Sequence, residues 1–193
     1  MGLNSQQQVV LLNGPAGVGK TTVGGRLAGA VCNGICIHGD DLKNFVVVRD
    51  PDTAPSGLTY VGSAALADVY LNAGYDLVVV DFVFPRAQHI ERFQRALVSN
   101  VSVSLFTLWA PLNVITAREA ARTDREQLGP RVAECWNELA RHRDELGQVV
   151  QALSTPDEVA SRILQQLGIV RAYQRCCSGS TSFPSNSRAV AVP

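Results

Sequence analysis

The sequence predicts an α/β fold built on a parallel sheet with helices on both faces. Three observations carry this reading. Five short apolar runs recur along the chain, helical stretches separate them, and a glycine-rich turn joins the first run to the first helix. Strands that are apolar throughout, rather than at alternate positions, belong to a sheet buried on both sides.

The elements follow in order. Residues 9–13, Val9-Val10-Leu11-Leu12-Asn13, read as a buried strand, and residues 20–31 as the helix after it. Further strands fit residues 34–38, 77–81, 101–109 and 149–153. Pro85 opens a helix whose inner face is Ile90, Phe93 and Leu97. Pro111 opens another, running through Arg118 to about Arg122. Gly129-Pro130 makes a sharp turn, and Arg131 starts a return helix with Val132, Trp136 and Leu139 inward. Thr155-Pro156-Asp157-Glu158 is a capping box with Pro at the first helical position. Val159, Ile163, Leu164 and Leu167 then form an apolar stripe that Gly168 ends. Residues 1–168 are expected to form one domain, with a lid at about 113–131. Residues 169–193 mix Ser with Gly, Pro and Arg and hold no acidic residue, which predicts a disordered tail.

Composition narrows the function. The chain has 193 residues, 46% hydrophobic and 18% charged, with Lys+Arg 17 against Asp+Glu 17. A balanced charge lacks the basic surplus that polynucleotide binding draws on. The five cysteines show neither a disulfide framework nor zinc-ligand spacing, and are read as thiols of a reducing cytosol. His38, His89 and His142 show no ligand spacing either, and Trp109 and Trp136 are read as core. Val9 to Leu12 is too short for a signal segment or a membrane span, and Gln6 stands where myristoylation wants Ser or Thr. A cytoplasmic protein without membrane or nucleic-acid partners is expected.

Gly14-Pro15-Ala16-Gly17-Val18-Gly19-Lys20-Thr21 satisfies G-x-x-x-x-G-K-[ST], between a strand end and a helix start. In that context the pattern is a P-loop. Its glycines let successive N–H groups point inward, and the helix N-terminus adds partial positive charge. Lys20 is assigned to the β- and γ-phosphates, Thr21 to Mg²⁺, and Thr22 to the α-phosphate. Asp81 ends the third strand, at the carboxyl edge where ligands of parallel sheets sit, and is assigned to Mg²⁺ as a Walker-B Asp is. Asp40 and Asp41 follow the second strand. Asp40 is assigned as catalytic base and Asp41 as cap of the next helix. Arg118, Arg122 and Arg125 are spaced to share one helical face, as a lid that neutralises phosphate charge would need.

With these residues in place, the chain resembles the shikimate-kinase and gluconate-kinase group, and within it the chloramphenicol phosphotransferases. The resemblance rests on Gly14 to Thr22, the Gly39-Asp40-Asp41-Leu42 turn, Asp81, and the Arg118-Glu119-x-Ala121-Arg122-x-Asp124-Arg125 lid, over roughly residues 8–168. It implies a three-layer P-loop fold with strand order 2-3-1-4-5, ATP and Mg²⁺, and Asp40 as the family's base. It also implies Arg118 stacking on adenine beside the Ser154-Thr155-Pro156 loop, with Arg122 and Arg125 near the phosphates. Two departures stand out. His38 replaces the first Asp of the relatives' Asp-Gly-Asp, and the P-loop is less Ser-rich than in chloramphenicol phosphotransferases. The stretch 50–60 is expected to shape the acceptor pocket.

The reaction expected is transfer of the γ-phosphoryl of ATP to a hydroxyl of a small molecule, an antibiotic or a metabolite. The sequence leaves two alternatives open: a nucleoside-monophosphate kinase with Arg49 at the acceptor phosphate, and a regulatory ATPase without an acceptor. A GTPase would carry an N-K-x-D motif, which is missing.

Overall fold

The first apolar run forms the centre of the sheet. A computed structural model describes residues 7–47, 57–123 and 127–169. Strand β1, Gln8–Asn13, runs parallel to β3, Leu77–Asp81, on one side and to β4, Ser102–Trp109, on the other. Strand β2, Gly34–His38, lies outside β3, and β5, Gln148–Gln151, outside β4. The order is β2-β3-β1-β4-β5, as the family resemblance implied. Val9, Val10, Leu11 and Leu12 have no exposed surface; burying each contributes about 1.5–3 kcal/mol.

Two apolar layers fill the space against the helices. On one face, Val10, Leu12 and Val79 pack with Leu27 of α1, Lys20–Ala28, and with Val159 and Ile163 of α7, Pro156–Gln166. On the other face, Val9, Leu11, Val78 and Val80 meet Ala64, Ala67 and Leu71 of α3, Leu58–Asn72, and Phe93 of α4, Ala87–Ala96. Trp109 lies in this second layer at 5.0 Å from Trp136. Helix α5, Leu112–Ala120, and helix α6, Arg131–Arg141, form an antiparallel pair beyond the end of β4.

The structure differs from the sequence reading at several ends. Helix α1 stops at Ala28, three residues short of Val31, because Gly29 takes its last carbonyls and the chain turns toward β2. Helix α4 starts at Ala87 rather than beside Pro85. Pro111 is the N-cap residue of α5. Asp40 and Asp41 lie in the first turn of a short helix α2, Gly39–Asn44, whose N-cap residue is His38. Asp41 is therefore not the cap: the strand passes into the helix at Gly39, two residues earlier. Cys36 and Cys135 are free thiols, but Cys32 is disulfide-bonded, against the expectation of thiols throughout. Arg49, Asp124, Arg125, residues 50–56 of the acceptor stretch and residues 170–193 of the tail lie outside the described residues.

A buried polar clamp joins the carboxyl ends of three strands. The Asn13 carboxamide donates to the Phe84 carbonyl at 3.1 Å and to Thr107 Oγ1 at 3.2 Å, and accepts from the Phe84 amide at 2.8 Å. Thr107 Oγ1 in turn donates to the Leu146 carbonyl. Asn13 and Thr107 have no exposed surface, so each partner lost there is a buried group left unpaired. Asn13→Ala is expected to lower stability by about 2–4 kcal/mol, at roughly 1–3 kcal/mol per orphaned group, read as a lower urea midpoint at unchanged slope.

Candidate functional site

The turn between β1 and α1 is shaped by backbone that only glycine adopts comfortably. Gly14, Gly17 and Gly19 have φ of 145°, 82° and 103°. At Gly14 space is as restrictive as conformation. A Cβ there would lie 2.6 Å from the Leu108 carbonyl oxygen and 2.9 Å from the Val18 side chain. The loop thus sits directly on the end of β4 and delivers the chain into α1. That helix begins with no side-chain cap and no acidic residue in its first turn. Its leading amides and the positive end of its dipole face the loop, an arrangement suited to an anion.

Lys20 turns back over this loop. Its ammonium donates to the carbonyls of Gly14 at 2.9 Å and Pro15 at 3.1 Å. Thr21 and Thr22 follow it, exposed on the same first turn. Beside them, Asp81 closes β3 with only 4% of its surface exposed. Register sets it level with Leu12 on one side and His38 on the other. The Asp81 carboxylate accepts a 2.9 Å hydrogen bond from His38 Nδ1. Asp40 stands exposed two residues beyond His38. All these groups lie at the carboxyl edge of the sheet, where the strand order reverses around β1.

The lid residues are arranged differently from a single helical face. Helix α5 ends at Ala120, with Ala121 as its C-cap residue; nothing in Ala120-Ala121-Arg122 marks that stop. Arg118 reaches the P-loop, its guanidinium 3.5 Å from the Val18 carbonyl. Arg122 follows the helix end, half-buried, its amide bonded to the Glu119 carbonyl at 3.1 Å.

Glu119, a charged position of the lid motif, is 3% exposed. One oxygen accepts the Leu128 amide at 3.2 Å, and the other would lie 3.3 Å from a Cβ at Gly17. It thus bonds the segment leading into α6 and packs against the P-loop at Gly17. At the far end of the site, Thr155 caps α7. The hydroxyl accepts the Glu158 amide at 3.4 Å, and Glu158 accepts the Thr155 amide at 2.9 Å.

A further cluster was not legible from spacing alone. The ligand-type atoms of Cys36, His38 and Asp81 lie within 4.8 Å of one another, with Cys36 Sγ 3.8 Å from His38 Nδ1. Burial pushes the Cys36 thiol up to about 12, and the neighbouring Asp81 charge adds to the rise. The alternation of strand side chains puts residues 36 and 38 on one face; pairing with Asp81 needed the register.

Comparison with known proteins follows the same lines. A family model described as an AAA domain matches residues 9–146. No curated protein matches the sequence. Solved structures similar in fold include a sugar kinase from Janibacter sp. HTCC2649, 21% identical with a TM-score of 0.66, covering 86% of this chain and 97% of that one. The Deinococcus radiodurans tunicamycin resistance protein is 19% identical with a TM-score of 0.63, covering 85% and 98%. Shikimate kinase from Acinetobacter baumannii, in complex with shikimate, is 18% identical with a TM-score of 0.52, covering 84% and 93%. At these identities the likeness is one of fold, that of the P-loop small-molecule kinases.

Two glycines should respond in opposite ways. Gly14→Ala combines a strained φ with contact against backbone and is expected to cost about 1–3 kcal/mol. Gly25→Ala, within α1 with nothing inside 4 Å of the new methyl, is expected to gain about 0.5–1 kcal/mol. Thermal unfolding of the two variants checks both signs.

Proposed function

The chain belongs to the AAA domain family, and on that premise we propose that it is an ATP-dependent kinase acting on a hydroxyl of a small molecule. The observation that carries the reading is the convergence of Lys20, the uncapped N-terminus of α1, Asp81 and Asp40 at one edge of the sheet. A regulatory ATPase needs the first three. A carboxylate beyond the second strand, exposed in the first turn of α2, serves an acceptor.

In this reading the P-loop from Gly14 through Gly19 wraps the phosphates of ATP, and its free backbone amides, with those of Thr21 and Thr22, hold them; Pro15 lends shape but no N–H. Lys20 leaves the two loop carbonyls and moves to the β- and γ-phosphates. Thr21 and Asp81 offer oxygen donors of the kind Mg²⁺ takes. Bound there, Mg²⁺ would neutralise phosphate charge. Arg118, whose guanidinium reaches the Val18 carbonyl of the P-loop, stacks on the nucleotide base, and the Thr155-Pro156 turn flanks that base. Arg122 and Arg125 close over the phosphates and oppose the charge that spreads in transfer.

Asp40 accepts the proton of the acceptor hydroxyl and orients its oxygen toward the γ-phosphorus. The oxygen–phosphorus bond forms as the bond to ADP breaks. Phe45, Val47, Leu58 and Val61 are exposed within and beside the acceptor stretch, which suits an acceptor with an apolar portion. The sugar kinase and shikimate kinase folds support the small-molecule class, and the lid pattern supports the chloramphenicol phosphotransferase-like branch.

The decisive experiment is a mass-spectrometric screen of hydroxylated antibiotics and metabolites, seeking an ATP-dependent gain of one phosphate. ATP hydrolysis with no phosphorylated product would overturn the kinase reading. With an acceptor in hand, Asp40→Asn is expected to lower turnover roughly 10²–10⁴-fold and leave ATP affinity within about twofold. Unchanged turnover would remove Asp40 from the mechanism.

A further inference from the structure

We propose that Cys36, His38 and Asp81 form a binding site for a thiophilic divalent cation of the zinc class. The placement begins with the backbone. Residues two apart on a strand share a face, which sets Cys36 and His38 side by side on β2. Parallel register then sets Asp81 of β3 level with His38. Three donors of different type, sulfur, nitrogen and oxygen, thus come from two adjacent strands.

The distances suit a tetrahedral ion. Zinc bonds of about 2.0–2.3 Å place neighbouring tetrahedral ligand atoms about 3.3–3.6 Å apart. Cys36 Sγ and His38 Nδ1 are 3.8 Å apart, His38 Nδ1 and Asp81 Oδ2 are 2.9 Å apart, and all three donors fall within 4.8 Å. Side-chain adjustment about an ion brings these separations to tetrahedral spacing. Three protein ligands leave a fourth place for water, the pattern of an open zinc site. Magnesium has no use for the sulfur or the imidazole, since it selects oxygen donors.

The surroundings fit as well. Gly24 of α1 covers the cluster at a distance that only glycine permits, because a Cβ would stand 2.7 Å from Cys36 Sγ. The His38 side chain is 35% exposed against 5% for Asp81, so an ion can enter past the imidazole. The same imidazole nitrogen faces both the Asp81 carboxylate and the Cys36 sulfur, so one ion in its place would meet all three donors. On binding, the ion displaces the thiol proton of Cys36, and the imidazole coordinates through Nδ1 with its remaining proton on Nε2.

One consequence rests on the kinase reading: Asp81 serves either this ion or the magnesium of ATP, so a thiophilic metal held here opposes phosphoryl transfer. The binding site itself stands apart from that reading, and its test uses no nucleotide. The full chain, reduced and metal-free, is titrated with Co²⁺ as a spectroscopic probe and then with Zn²⁺ as competitor. One equivalent of Co²⁺ should give the strong visible absorption of a tetrahedral site and a thiolate-to-cobalt charge-transfer band, both removed by Zn²⁺. Cys36→Ser should lose the charge-transfer band. His38→Gln should weaken Zn²⁺ at least about tenfold, while Cys135→Ser keeps the wild-type spectrum. No band in the wild-type chain, or an unchanged band in Cys36→Ser, overturns the proposal. Circular dichroism reports whether each variant folds. Should Cys36→Ser fail to fold, His38→Gln decides: the rise in Tm that Zn²⁺ gives the wild type is lost if the site is real, and retention of that rise refutes it.

Discussion

Everything at the carboxyl edge depends on one helix end that its own sequence does not cap. Helix α1 starts with Lys20, with no side-chain cap and no acidic residue in its first turn. Such amides need an acceptor from elsewhere. The glycine loop in front of them is held against the end of β4 by contact at Gly14, so the amides keep a fixed direction. Asp81, Asp40 and Arg118 are placed relative to that helix end. A cap at residue 19, such as Ser or Asp, would satisfy it internally and remove the reason for the other groups to converge.

How much of this could be read from the sequence follows from the range of the interactions. The strands were legible because a parallel sheet covered twice needs apolar residues at every position, and 9–12 and 77–80 supply them. The α7 cap was legible because its four residues satisfy one another locally, and the same hydrogen bonds are found in place. Helix α3 was not anticipated. Its apolar residues, among them Leu58, Val61, Ala64, Leu66, Ala67, Val69 and Leu71, surround the helix instead of forming a stripe, which removes the periodic signal.

The site divides in the same way. Gly14 to Thr22 and Asp81 could be placed by motif and strand end. The Asn13 clamp could not, because its partners are 71 and 94 residues away. A glutamate beside an arginine gives no hint of burial in the sequence, and only the fold reveals Glu119 buried against Gly17 and bonded to Leu128. The reading of His38 as merely a departure from a relative's Asp also changed with the structure. An imidazole next to Asp81 gives that carboxylate a neighbour that a second acid would have repelled.

The posture of Lys20 bears on which anions the protein admits. Its ammonium already holds two carbonyls of its own loop, each such charged contact contributing roughly 1.5–3 kcal/mol. An incoming ligand has to better both at once. Inorganic phosphate or sulfate brings a single compact group and competes poorly. A polyphosphate chain offers several oxygens in succession and can engage the amides before it draws the lysine away. Under the kinase reading proposed above, the loop's own carbonyls act as a resident competitor, and the threshold they set favours long phosphate chains over the small anions that abound in any cell.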